Sequence, residues 1–230
     1  MKPMIKYAGG KSREIEVIKR FIPEYKGKYI EPFLGGGALY FYLEPEKAII
    51  NDVNSKLIEF YLGIRNEFPQ IKKELTSIEN QYISNRMDFE KRKGKADIKV
   101  EDANEKFYYQ MRDFFNNNSK SDFHPATIYF FINKTAYSGM IRYNREGKYN
   151  VPYGRYKNPN IINETVLRAI SKYFNDNEVQ ILNGDYKESL KNLEKNSFVY
   201  LDPPYMPISE SSSFTGYTEG GFGYNSQVEL

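Results

Sequence analysis

The chain is predicted to be an α/β protein with a Rossmann-like sheet into which a helical domain is inserted. Three observations carry that prediction: four short apolar runs each end in a polar or acidic residue, a Gly-rich turn follows the first run, and charged amphipathic segments separate the second from the third. In order, Tyr29-Ile30-Glu31-Pro32-Phe33 with Leu34-Gly35-Gly36-Gly37 reads as a strand, a turn, and a helix from about Ala38. Ala48-Ile49-Ile50-Asn51-Asp52 is a second short strand ending on an acid. Residues 53–178 change character, because Asn54 to Ile83 and Ala103 to Asn116 are charged and helical in period. Tyr143 to Val151 has short alternating arms about a Glu146-Gly147 turn, a hairpin pattern, and Pro152 to Pro159 forbids regular structure while setting cations beside rings. Glu164 to Phe174 is a helix leading back to the sheet, where Val179 to Asp185 and Ser197 to Asp202 are the third and fourth strands. The division expected is residues 1–56 with 166–230 as one discontinuous domain and residues 57–165 as a helical insertion, its hairpin at about 141–157.

Composition removes whole classes of chemistry. The 230 residues include no cysteine and one histidine, so a disulfide, a thiolate metal site, a cysteine nucleophile and a histidine-based zinc site or Ser-His triad are not expected. His124, before Pro125, reads as a surface or packing residue. No metal is predicted, and no apolar segment is long enough for a membrane span or a signal peptide, so the expected location is the cytoplasm. A net charge of +3 is too mild to establish a nucleic-acid partner, although local clusters supply phosphate contacts. The 21 tyrosines and 16 phenylalanines, with no tryptophan, fill cores more often than they stack on bases.

Asp202-Pro203-Pro204-Tyr205 follows the apolar run Phe198-Val199-Tyr200-Leu201, and the carboxyl ends of strands are where open α/β sheets bind ligands. Two prolines lock φ and offer no N–H, so their carbonyls are free to accept from a ligand. A carboxylate, a free carbonyl and a ring suit a flat heterocycle with an exocyclic NH2, its two hydrogens going to Asp202 and the Pro203 carbonyl while Tyr205 covers a face. A strand end stopped by prolines and an Asx turn is the plain alternative. Gly9-Gly10-Lys11-Ser12 is not a phosphate loop, because Ile5 stands where that motif needs glycine. Gly35-x-Gly37 resembles a dinucleotide fingerprint with Tyr40 at its third position, and Asp52 lies about 17 residues after Gly35, near the roughly 20-residue spacing of a ribose-binding acid. The pair fits an adenosine-containing cofactor. Asp185 is placed to take an adenine amino group with Tyr186 against the ring, and equally to cap a helix.

These motifs together resemble the Dam-like N6-adenine DNA methyltransferases, from the first residues to the last. Lys6-Tyr7-Ala8-Gly9-Gly10-Lys11 looks like the family's opening motif, Glu31-Pro32-Phe33-x-Gly35-x-Gly37 its cofactor loop, and Asn51-Asp52-x-Asn54 the ribose-binding segment. Tyr143-Asn144 through Asn150-Val151-Pro152 to Gly154-Arg155-Tyr156-Lys157 is similar to its target-recognition hairpin. Asp202 to Tyr205, with Pro207, Ser209, Phe214-Thr215 and Tyr217-Thr218, looks like its catalytic motif and the segment after it. The resemblance implies an S-adenosylmethionine-dependent methyltransferase sheet carrying a DNA-recognition insertion. By the same resemblance, Tyr7, Ala8, Gly9, Gly10, Lys11, Pro32, Phe33, Gly35, Gly37, Asp52, Asp185, Tyr186 and Asp202 would hold S-adenosylmethionine. Lys6, Tyr137, Ser138, Gly139, Arg142, Asn144, Arg145, Lys148, Asn150, Pro152, Tyr153, Arg155 and Lys157 would face double-stranded DNA.

Direct transfer to adenine N6 requires that the base leave the helix, with Tyr205 recovering part of the roughly 1–3 kcal/mol a stacked base is worth. Methylation at cytosine C5 uses a cysteine nucleophile, which this chain lacks. Cytosine N4 also presents an NH2, but relatives acting there usually have Ser in place of Asp202. Arg142 suits a bidentate guanine contact, and Arg145, Lys148, Arg155 and Lys157 suit phosphates. Tyr137-Ser138-Gly139-Met140 departs from the Tyr-Asn-Gly-Leu common in GATC-reading members and leaves the recognition sequence open. Members usually continue for some tens of residues past the position of Leu230. The expectation is therefore a second polypeptide supplying further strands at an open sheet edge, or a shortened descendant that binds DNA or cofactor without catalysis.

Overall fold

The computed structural model of the protein describes residues 1–93, 100–144, 146–191, 193–205 and 222–230. Four parallel strands form its sheet: β1 (Tyr29–Glu31), β2 (Lys47–Asp52), β3 (Glu178–Asn183) and β4 (Phe198–Val199), in the order β3-β2-β1-β4. Ile30 lies between Ile49 and Val199, and Asp52 sits beside Asn183. Parallel neighbours need crossovers, which the helices provide. The chain walks outward from β1 to β2 to β3, then returns to the other side of β1 for β4. That reversal makes the gap between the carboxyl ends of β1 and β4 a topological switch point.

The strand expected over Ser197–Asp202 is shorter than its apolar run. Only Phe198 and Val199 are in the ladder, extended by a hydrogen bond from Tyr200 N to Ile30 O at 2.9 Å. Its partner β1 stops at Glu31 because Pro32 has no N–H to offer. β4 is an edge of the sheet among the described residues.

After α1 (Ile15–Ile18), α2 (Ala38–Leu43) begins where the sequence placed it, following Gly37 at φ 65. A β-carbon there would lie 2.9 Å from the Phe41 ring, so only glycine allows the turn. The expected helical stretch Asn54–Ile83 is two helices, α3 (Ser55–Asn66) and α4 (Phe68–Lys93). Glu67 breaks them at φ −130, because Pro69 in the first turn of α4 has no N–H with which to continue α3. α5 (Ala103–Phe115) is capped by Asp102, and α7 (Glu164–Asp176) by Asn163.

The sequence reading passed over α6 (Pro125–Thr135), for a physical reason. Ala126 through Asn133 are all buried, so the helix is apolar on every side and shows no amphipathic period. His124 is its N-cap: Nδ1 accepts from Ala126 N at 3.0 Å, and Nε2 lies 3.3 Å from Glu67. α3 packs against both α6 and α7, so one buried cluster runs from the sheet into the insertion. Its aromatic rings pair off inside, Phe60 with Phe130 at 5.7 Å and Tyr40 with Phe174 at 6.3 Å. Short helices α8 (Tyr186–Ser189) and α9 (Tyr224–Glu229) lie beside the strand ends. No helix of the described residues is long and apolar enough to cross a membrane.

Candidate active site

On the β1–β2 side of the switch point, the Gly-rich turn is bound to the end of β2. Asp52 Oδ2 accepts from Gly35 N at 2.8 Å and Oδ1 accepts from Asn54 N at 2.9 Å. Burial raises the Asp52 carboxyl above its usual range, and those two N–H groups pull it back. Tyr61 OH donates to Gly35 O at 3.0 Å. Asn51 Nδ2 donates to Pro32 O and Gly184 O, both at 3.0 Å, and so ties together the loops after β1 and β3. Its Oδ1 is buried without a hydrogen-bond partner among the described residues. Tyr7 lies across this turn, and a β-carbon on Gly35 would come 2.9 Å from its ring. Burial pushes the Tyr7 hydroxyl well up, Asp52 adds to the rise, and a hydrogen bond with Asn54 opposes it.

On the other side stands the end of β4. Lys11 Nζ donates to Asp202 Oδ2 at 2.7 Å and to Gly9 O at 2.9 Å, and lies 5.2 Å from the Tyr205 ring centroid. Burial pulls the Lys11 ammonium down, but its bonds to Asp202 and Tyr205 outweigh that and the net shift is upward. Ala8, Gly9 and Gly10 form the exposed turn that brings Lys11 here, closed by Gly10 N to Tyr7 O at 3.1 Å. Pro203 and Pro204 are half-buried, while Tyr205 is 72% exposed. Between the two sides is a third carboxyl, Glu31, which accepts from Tyr29 OH at 2.6 Å. Burial pushes it up to about 8; the Tyr29 bond opposes the rise and the charge of Asp202 adds to it.

Beyond β3, Phe33 stacks on Tyr186 at 5.4 Å and meets Phe222 edge-on at 5.4 Å. The Tyr186 hydroxyl is buried without a partner among the described residues. Asp185 Oδ1 accepts from Lys187 N at 2.9 Å, so the capping reading holds for it, and its side chain stays exposed beside the ring pair. Sequence reasoning missed Asn51 Oδ1 as a free acceptor, Glu31 as a buried acid, and Phe222 and Gln227 as neighbours of the site. Glu31 and Asn51 stood in the family-like motifs and as polar residues inside strand patterns, with no role of their own assigned.

The predicted DNA-facing residues gather around the insertion's loops. The hairpin is present as a Tyr143–Tyr149 bridge, with Asn144 N donating to Lys148 O at 2.8 Å and Gly147 at φ 71 in its turn. Asn144 Oδ1 accepts from Glu146 N and Lys148 N, which ties that side chain to the turn itself. Arg142 Nε donates to Asn150 Oδ1 at 3.0 Å, both residues exposed. Tyr137, 56% exposed, precedes Ser138 and Gly139, both at positive φ, and its N–H donates to Pro152 O at 2.9 Å. Gly139, expected to face DNA, is instead buried against the Lys6 side chain and the Asn133 carbonyl. Lys6 is stapled beside them: Lys6 N donates to Asn133 Oδ1 at 3.1 Å and Asn133 Nδ2 to Lys6 O at 2.8 Å. Lys148 and Lys157 are exposed, and Arg155 pairs with Glu105 at 2.8 Å. Tyr153 departs from the expectation of a surface contact. It is 4% exposed, its hydroxyl bonds that of Tyr82, and it holds the loop to α4 from inside. Arg145, Pro207, Ser209, Phe214, Thr215, Tyr217 and Thr218 lie outside the described residues.

A family model for the D12 class N6 adenine-specific DNA methyltransferases matches residues 7–230. Type II methyltransferase M.MjaIII of Methanocaldococcus jannaschii is 40% identical over 241 residues, covering all of this chain and 78% of that protein. Type II methyltransferase M1.LlaDCHI of Lactococcus lactis subsp. cremoris is 35% identical, covering all of this chain and 75% of that protein. The DNA adenine methylase of Escherichia coli K12 is 31% identical over 98% of this chain and 73% of its own length. With a parallel α/β sheet, an acid at the end of each of three adjacent strands and a match over nearly its whole length, the chain belongs to the D12 class of N6 adenine-specific DNA methyltransferases.

Proposed function

We propose that the protein transfers the methyl group of S-adenosylmethionine to N6 of an adenine turned out of double-stranded DNA into the crevice between β1 and β4. The observation that carries this reading is the contact of Lys11 with Asp202 across the switch point, with Tyr205 alongside. It joins the opening motif to the catalytic tetrad, 191 residues apart in sequence.

The residues present suit that cofactor. Asp52 and Asp185 are acceptors for hydroxyl and amino groups, Phe33 and Tyr186 offer rings, and Asn51 Oδ1 and the Tyr186 hydroxyl are buried polar atoms with unused capacity. Tyr7, Ala8, Gly9, Gly10, Pro32, Gly35 and Gly37 shape the wall around them. When bound, the cofactor supplies an electrophilic methyl on a sulfonium. Lys11 occupies Asp202 Oδ2 and leaves Oδ1 for one hydrogen of the adenine N6, while the Pro203 carbonyl takes the other. The two bonds favour a pyramidal nitrogen; as the methyl C–N bond forms its C–S bond would break to leave a neutral thioether, and the charge on Asp202 would stabilise the positive nitrogen until Oδ1 passes the N6 proton to solvent. Positioning supplies the rest, since direct displacement needs no covalent intermediate with the enzyme. Tyr205 covers a face of the base.

Residues 57–165 serve as the target-recognition domain, with the hairpin at 141–157, and residues 1–56 and 166–230 as the catalytic domain. Lys6, Tyr137, Ser138, Arg142, Asn150 and Pro152 line the face toward the bases, and Lys148, Arg155 and Lys157 the phosphates. The test is transfer of labelled methyl to unmethylated DNA, with Asp202→Ala as control. Label in adenine that disappears in the variant is expected. Label in cytosine, or transfer that persists without Asp202, would sink the proposal.

A further inference from the structure

We infer that Gln227 is a positioning residue for the target base, acting by fixing the Pro204 carbonyl and, through it, the point from which Tyr205 projects. The inference rests on the role proposed above for Tyr205. Gln227 Nε2 donates to Pro204 O at 2.8 Å. The same segment touches the site twice more: Glu229 pairs with Lys187, and Phe222, 6% exposed, sets its ring against Phe33 and Tyr186. Tyr224 and Val228 in between are 69% and 68% exposed, so α9 is held by these contacts and not by an apolar face of its own.

The backbone explains why one hydrogen bond matters here. Both proline rings lock φ, and neither residue has an N–H through which a neighbour can hold it. The torsion left between the Pro204 ring and Tyr205 is ψ of Pro204, whose direction the carbonyl follows. A donor on that carbonyl therefore fixes the point and direction from which the chain delivers Tyr205, leaving φ and the side-chain torsions of Tyr205 to set its ring. The ring is 72% exposed, and the Lys11 ammonium lies 5.2 Å from its centre.

Gln227→Met keeps length and volume but removes the donor, whereas Gln227→Lys keeps a donor of similar reach. With labelled methyl transfer as the assay, kcat of Gln227→Met should fall about five- to tenfold, the worth of one hydrogen bond. Its KM for S-adenosylmethionine should stay within about twofold, and Gln227→Lys should stay near wild type. In the protein without cofactor or DNA, the 13C resonance of the Pro204 carbonyl should move in Gln227→Met and not in Gln227→Lys. An unchanged kcat in Gln227→Met would overturn the inference, as would an unmoved carbonyl resonance. Equal losses in both variants with a lowered unfolding temperature would also overturn it, since they would reduce Gln227 to a structural role. A wild type that transfers no methyl would overturn the proposed function and this inference together; with an active wild type, only the inference is at stake.

Discussion

Asp52 and Asp202 share one local design, an acid at the carboxyl end of a short parallel strand, yet the fold uses them in opposite ways. Asp52 ends a six-residue strand paired on both sides, and both its oxygens are taken by backbone N–H groups. Asp202 follows a two-residue ladder at an edge, and the partner of its Oδ2 is the flexible side chain of Lys11. Backbone donors cannot move without moving the loop, but a lysine can change partners at small cost. The first acid is thus held by the scaffold, and the second is held by a side chain that can let it go.

Breaking the second acid should separate activity from stability most sharply. Asp202→Asn keeps shape but loses charge, and should lower methyl transfer about 10²–10³-fold, the scale of losing one charged stabiliser in a transition state. Its unfolding temperature should stay within about 2 °C, because a partly exposed ion pair contributes little. A large drop in thermal unfolding would show that Asp202 is scaffold as well. Asp52→Ala is the converse: it strands two backbone donors and should cost about 3 kcal/mol, or roughly 6–12 °C in a chain of this size. Calorimetry that finds Asp52→Ala as stable as wild type would erase the contrast.

Lys11→Met tests the partner, with kcat/KM expected to fall about tenfold. Combined with Asp202→Asn it should cost little more than Asp202→Asn alone, since both remove one interaction. Additive losses would mean that the two residues act separately.

Glu31, the third acid of the series, sharpens the comparison in its pH dependence. Its folded pKa of about 8 lies above the usual carboxyl value, so its contribution is fully present below about pH 4.5. It is lost as pH rises toward about 8, because the unfolded chain gives up the proton first, at roughly 1 kcal/mol per pH unit. Denaturant titrations of wild type and Glu31→Gln between pH 5 and 8 should show a steeper decline in the wild type. Parallel curves would place the proton elsewhere.

Local pattern made β1, β2, β3, α2, α5 and α7 readable, because each has its own period, cap or turn. α6 was not readable, since a helix buried on all sides has no polar face to mark its turns. The break between α3 and α4 was signalled by Pro69 but masked by a continuous charged pattern across it. Gln227 carried no signal at all: an amide in a short polar helix looks like surface until its carbonyl partner, 23 residues earlier, is seen. Tyr153 shows the reverse error, a tyrosine among cations that reads as surface and lies inside.

The order of motifs along the chain, more than any one of them, was enough to indicate the class of reaction: the absence of cysteine excludes one route, and Asp202-Pro203-Pro204-Tyr205 gains its meaning from standing after Gly35-x-Gly37 and Asp52 at the spacing of a known family. Which acid is bound by backbone and which by a side chain came from the tertiary structure alone. That depends on how many neighbours a strand end has and whether they are backbone or side chain, a property of sheet order that no local stretch of residues contains.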